Sequence, residues 1–91
     1  MDLLQEARQI INETDAQMAQ LFVKRMQAVQ MVAQYKKENN LPIFDPEREE
    51  AVIQSGAARV EDETLRGYYV DFLKDTMAIS RKYQQALLEK K

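Results

Sequence analysis

The chain has 91 residues, a formal net charge of −2, and neither cysteine nor histidine. Without cysteine there are no disulfides and no thiolate chemistry, and without histidine the commonest general base and metal ligand is missing, so any acid or base work falls to carboxylates. The slightly acidic balance gives no general attraction for nucleic acid or anionic lipid, so an anion must be held by a local basic cluster.

Two Gly and two Pro amid many Ala, Leu, Glu, Gln, Lys and Arg make an all-α chain the expectation, with 1–91 as a single domain. No apolar run is long enough for a signal peptide or a bilayer span, so a soluble, cytoplasmic protein is expected. From Leu3 to about Glu38 the apolar residues keep a helical period without a Pro or Gly, and Asn39, Asn40 and Pro42 then stop the helix. Asp45 reads as the N-cap of a short second helix with Pro46 at its first position. That helix runs to Gln54 or Ser55 and stops at Gly56. The stretch from Gly56 to Glu63 reads as a loop. A third helix starts near Thr64, and its apolar face carries Leu65, Tyr69, Phe72, Leu73, Thr76, Met77, Ser80, Tyr83, Gln84 and Leu87.

A first helix of this length extends roughly 54 Å, whereas a compact globule of the same chain length has a radius of gyration near 12 Å. Helix one must therefore protrude, and its apolar seam needs a cover. A two-fold homodimer with antiparallel long helices supplies one.

Arg25 interrupts that seam, in the column Leu4, Ile11, Met18, Arg25, Val32. Guanidinium keeps its charge when desolvated. The position therefore calls for a carboxylate partner within the protein, a register-setting role, or an anionic ligand. Lys36 projects from nearly the same face about 16 Å further on. Ser80 and Gln84 form a polar patch on the inward face of helix three, and Asp45, Arg48 and Glu49 gather at the start of helix two. Singly, each has a plain explanation: Asp45 caps, Arg48 and Glu49 pair on the surface, and Ser80 and Gln84 satisfy each other or a water. Jointly, they would form a pocket for a small anion bearing hydroxyls. Arg8 lies roughly 25 Å from Arg25 along one helix, so the two could grip one small molecule only from different subunits.

The set Arg8, Arg25, Lys36, Asp45-Pro46-Glu47-Arg48-Glu49, Ser80 and Gln84 resembles the all-helical class of chorismate mutases, over nearly the whole chain. The resemblance implies an intertwined homodimer that isomerises chorismate to prephenate, toward phenylalanine and tyrosine, with no cofactor and no metal. It also implies roles. Arg25 and the partner subunit's Arg8 would bind the two substrate carboxylates, with Arg48 reinforcing them. Lys36 and Gln84 would be the catalytic pair on the ether oxygen. Glu49 and the Asp45 region would hold the ring hydroxyl, and Ser80 would complete the pocket. Val32, Met77 and Arg81 fall where that family lines its cavity, although Arg81 reads more simply as a surface residue. Asn39-Asn40 stands where a turn glycine is often found. Two other readings remain: a pyruvate lyase acting on isochorismate, which the Asp45 to Glu49 segment fits less well, and a non-catalytic domain sensing chorismate or prephenate.

Overall fold

A computed structural model describes residues 2–89 as three helices, α1 (Leu3–Glu38), α2 (Pro46–Ala58) and α3 (Glu63–Glu89). The first helix is unbroken over 36 residues. It opens with a reciprocal cap in which the Asp2 carboxylate accepts from the Gln5 amide at 2.8 Å and the Gln5 side chain accepts from the Asp2 amide at 3.3 Å. It closes on Asn40, whose φ of 54° is left-handed. The Leu41 amide reaches back to the Lys36 carbonyl at 2.8 Å and the Asn40 amide to that of Lys37 at 3.5 Å. Glycine usually takes this position. Asparagine is the side chain that best tolerates the conformation, which explains how the Asn39-Asn40 turn works without one.

α2 departs from expectation at its end, for it continues through Gly56 to Ala58. Gly56 is buried inside the helix, and a Cβ there would come within 2.3 Å of Leu73 Cδ1 on α3. This glycine therefore marks a close helix approach and not a helix stop, because the missing side chain lets α2 settle against Leu73. The loop before α3 is correspondingly shorter than expected. The Asp62 carboxylate accepts from the Thr64 amide at 2.9 Å and from its hydroxyl at 2.6 Å. These bonds start α3 one residue before Thr64 and hold the Asp62 carboxyl below its ordinary value.

α3 is the element on which the other two pack. Its partnerships fix the topology. Arg25 with Ser80 and Gln30 with Tyr83 advance in the same direction, so α1 and α3 run parallel. Glu49 with Arg81 and Gly56 with Leu73 run in opposite directions, so α2 folds back along α3. The molecule measures 54 × 29 × 14 Å with a radius of gyration of 16.4 Å, well above the roughly 12 Å of a compact chain of this length.

The protrusion expected from helix length is therefore real, and it leaves apolar residues uncovered. Leu3 is 82% exposed, Ile10 63% and Leu21 64%. Met18, Phe22, Phe72 and Ile79 line a groove of about 660 Å³ on this side. Its apolar walls suit side chains better than a small polar ligand. Among the described residues no helix is long and apolar enough to cross a membrane.

Candidate active site

A second cavity, of about 280 Å³, lies where all three helices and the connection before α2 meet. It is near the lower end of the range for small-molecule sites. Its lining contains Arg25 and Lys36 from α1, Asp45, Arg48 and Glu49 from the start of α2, and Ser80 and Gln84 from α3. The residues set apart in the sequence thus converge, with Val32 and Met77 as apolar wall. Arg8 is exposed and lies outside this cavity.

Arg25 settles one of the alternatives left open above. Among the described residues no carboxylate pairs with it. Its Nη1 instead donates to the Ser80 hydroxyl, which in turn donates to the Thr76 carbonyl at 3.0 Å. The chain from Arg25 to Ser80 to the α3 backbone orients the guanidinium while leaving its charge uncompensated. Among the described residues of the chain, then, no ion pair accounts for this cation on an apolar seam. An anion from outside the chain would meet it in a partly buried setting, where charge-assisted hydrogen bonds are strong.

Lys36 is held differently. Its ammonium donates to the Ile43 carbonyl at 2.7 Å, bracing the end of α1 against the chain that leads into α2. An ammonium has three donors, so two remain for a ligand. Gln84 is 6% exposed, and its Oε1 is buried without a hydrogen-bond partner. A buried, unpartnered polar atom costs free energy unless something outside the chain meets it. Ser80 and Gln84 do not bond each other, because Ser80 is engaged by Arg25 and Thr76.

At the start of α2 the Asp45 carboxylate accepts from the Arg48 amide at 3.0 Å, so its side chain caps the helix. That leaves Glu49 as the carboxylate free of backbone duty. Glu49 is not paired with Arg48 on the surface, as the sequence suggested, but with Arg81, whose Nη1 donates to Glu49 Oε1. Arg81 is also not the surface residue it had resembled. It lines the cavity with a side chain 34% exposed, and its guanidinium lies 5.3 Å from the centre of the Phe44 ring. The family resemblance had placed Arg81 along the cavity, but its partner could not be read from sequence, because only the packing of α2 against α3 brings residues 49 and 81 together. The available signal was opposite charge on two facing helices, which is common and weak.

The cavity holds four cations, Arg25, Lys36, Arg48 and Arg81, against two carboxylates. One carboxylate caps a helix and the other is neutralised by Arg81. What remains is an apolar-walled space with an excess of positive charge and a buried amide, suited to a small dianion.

Comparison with known proteins agrees with this chemistry. The family described as chorismate mutase type II matches residues 7–85. The chain is 38% identical over 77 residues to the T-protein of Haemophilus influenzae, a match covering 85% of this chain. It spans only 20% of that protein's length. No solved structure matches the chain.

Proposed function

Because the chain belongs to the chorismate mutase type II family, we propose that the cavity between its helices binds chorismate and rearranges it to prephenate. The observation that carries this reading is the convergence of Arg25, Lys36 and Gln84, none with a carboxylate partner among the described residues, on one apolar-walled cavity. The rearrangement is pericyclic. The ether carbon–oxygen bond breaks as a carbon–carbon bond forms, and atoms and protons balance within the one molecule. A site lacking histidine and cysteine is thus no handicap.

What the reaction requires is a flexible dianion held folded, with its reacting carbons aligned. Arg25, braced by Ser80, binds one carboxylate, and Arg48 strengthens the same positive field. The second carboxylate falls to the partner subunit's Arg8, in a homodimer that covers the groove lined by Met18, Phe22 and Phe72. Negative charge grows on the ether oxygen in the transition state. Lys36 and the amide of Gln84 donate there, and they bind that oxygen more tightly than in the ground state. Glu49 accepts from the ring hydroxyl.

Incubating the purified protein with chorismate, and in parallel with isochorismate, tests the assignment. Prephenate formation abolished in Arg25→Ala supports it. Faster release of pyruvate from isochorismate moves the activity to a lyase, and tight binding without turnover makes this a sensing domain. The role of Gln84 has its own expected result. Gln84→Glu must be protonated to donate a hydrogen bond, so its activity optimum shifts to acid. Unchanged activity across about pH 5 to 8 would refute the donor role.

A further inference from the structure

Arg81 has no part in the scheme above, yet it is one of the best-held side chains of the cavity. Two different segments grip it. Its Nη1 donates to Glu49 in the first turn of α2, and its guanidinium packs on the Phe44 ring in the connection before α2. Arg25 on α1 and Arg81 on α3 thus line the same cavity with opposite duties: Arg25 is braced by a neutral hydroxyl and keeps its charge for a ligand, while Arg81 is paired with a carboxylate of the chain.

Glu49 poses a problem that Arg81 answers. A carboxylate lining a cavity for a dianion repels that dianion, and a glutamate has rotamers to choose among. Arg81 addresses both, cancelling the repulsion and fixing one oxygen, Oε1. No other side-chain hydrogen bond engages Glu49 among the described residues, so Oε2 is left to accept.

We propose that Arg81 is a positioning residue, which locks and neutralises Glu49 so that its second oxygen selects substrates carrying the ring hydroxyl. The inference rests on the chorismate reading for the identity of that hydroxyl. The alternative is a purely structural tie between α2 and α3, and the two differ in what they predict. A structural tie matters equally for any ligand. A positioning role adds, to the charge effect that any dianion feels, a loss confined to ligands that carry the hydroxyl.

The test compares chorismate with an analogue lacking the ring hydroxyl, in wild type, Arg81→Met, Arg81→Lys, Glu49→Gln and the double variant Arg81→Met with Glu49→Gln. Arg81→Met is expected to lower kcat/KM for chorismate roughly ten-fold more than for the analogue, whose smaller loss reports the uncancelled charge of Glu49 alone. Arg81→Lys should recover part of the loss, and the double variant should be no worse than Glu49→Gln alone. Equal losses on both substrates, or no loss on either, would overturn the proposal.

Calorimetric binding of a non-reacting bicyclic diacid of transition-state shape, with and without the hydroxyl, separates this inference from the reaction assignment. Hydroxyl discrimination that disappears in Arg81→Met supports the positioning role even if the wild type turns over nothing. Binding of neither diacid by the wild type overturns both readings.

Discussion

Lys36→Ala is expected to lower kcat/KM by roughly 10²–10³-fold, with most of the loss in kcat, as for removal of a donor from an oxyanion hole. The expectation follows from where the charge goes. The ether oxygen of the substrate is a weak acceptor before reaction and carries substantial negative charge at the transition state. A cation aimed at it therefore contributes differentially to the transition state. Lys36 is fixed for that task by the Ile43 carbonyl at 2.7 Å, which leaves little reorganisation at the moment of reaction. The same bond means that the substitution also loosens the connection ahead of α2, so a melting curve must accompany the kinetics. A loss confined to KM, with kcat intact, would show that Lys36 binds substrate and transition state alike, and the catalytic role would fall.

Mixing two inactive variants should restore activity. In the proposed shared site, Arg8→Ala and Arg25→Ala would each remove one carboxylate contact from every site, at a cost of roughly 10²-fold apiece if each contact is worth about 3 kcal/mol. When the subunits exchange at random, half the dimers are hybrids, and each hybrid pairs an intact Arg8 with an intact Arg25 at one of its two sites. About a quarter of the sites should recover. The expectation rests on geometry: Arg25 lines the cavity, while Arg8 lies on the same straight helix and outside it. No recovery after subunit exchange has been verified would eliminate the shared site.

The parts of this molecule legible in the sequence are those governed by local chemistry. An unbroken helical period predicts α1 from Leu3 to Glu38, and Asp45-Pro46 predicts where α2 begins, because caps and periodicity are encoded within a few residues. The convergence of Arg25, Lys36, Glu49, Ser80 and Gln84 was also foreseeable, since polar side chains on apolar faces have few stable destinations.

What escaped is what depends on a second helix. Gly56 looked like a terminator because glycine's usual local meaning is a break, whereas here its meaning lies in Leu73, distant in sequence. Arg81, which the resemblance places along the cavity, reads by itself as solvent-facing charge because nothing beside it in the sequence announces Glu49 or Phe44. Arg25 was legible as an anomaly but not as an answer. Only the folded structure shows that its partner within the chain is the neutral hydroxyl of Ser80.

Among the described residues of a single chain few are buried: Val29, Ala33, Gly56 and Met77, with Ser80 and Gln84 beside them at 6% exposure each. Within one chain, the ligand-facing groups and the interior are therefore largely the same residues. Replacing Gln84 by leucine would remove a buried polar atom that has no partner, and so would tend to make the helices adhere better while silencing the cavity.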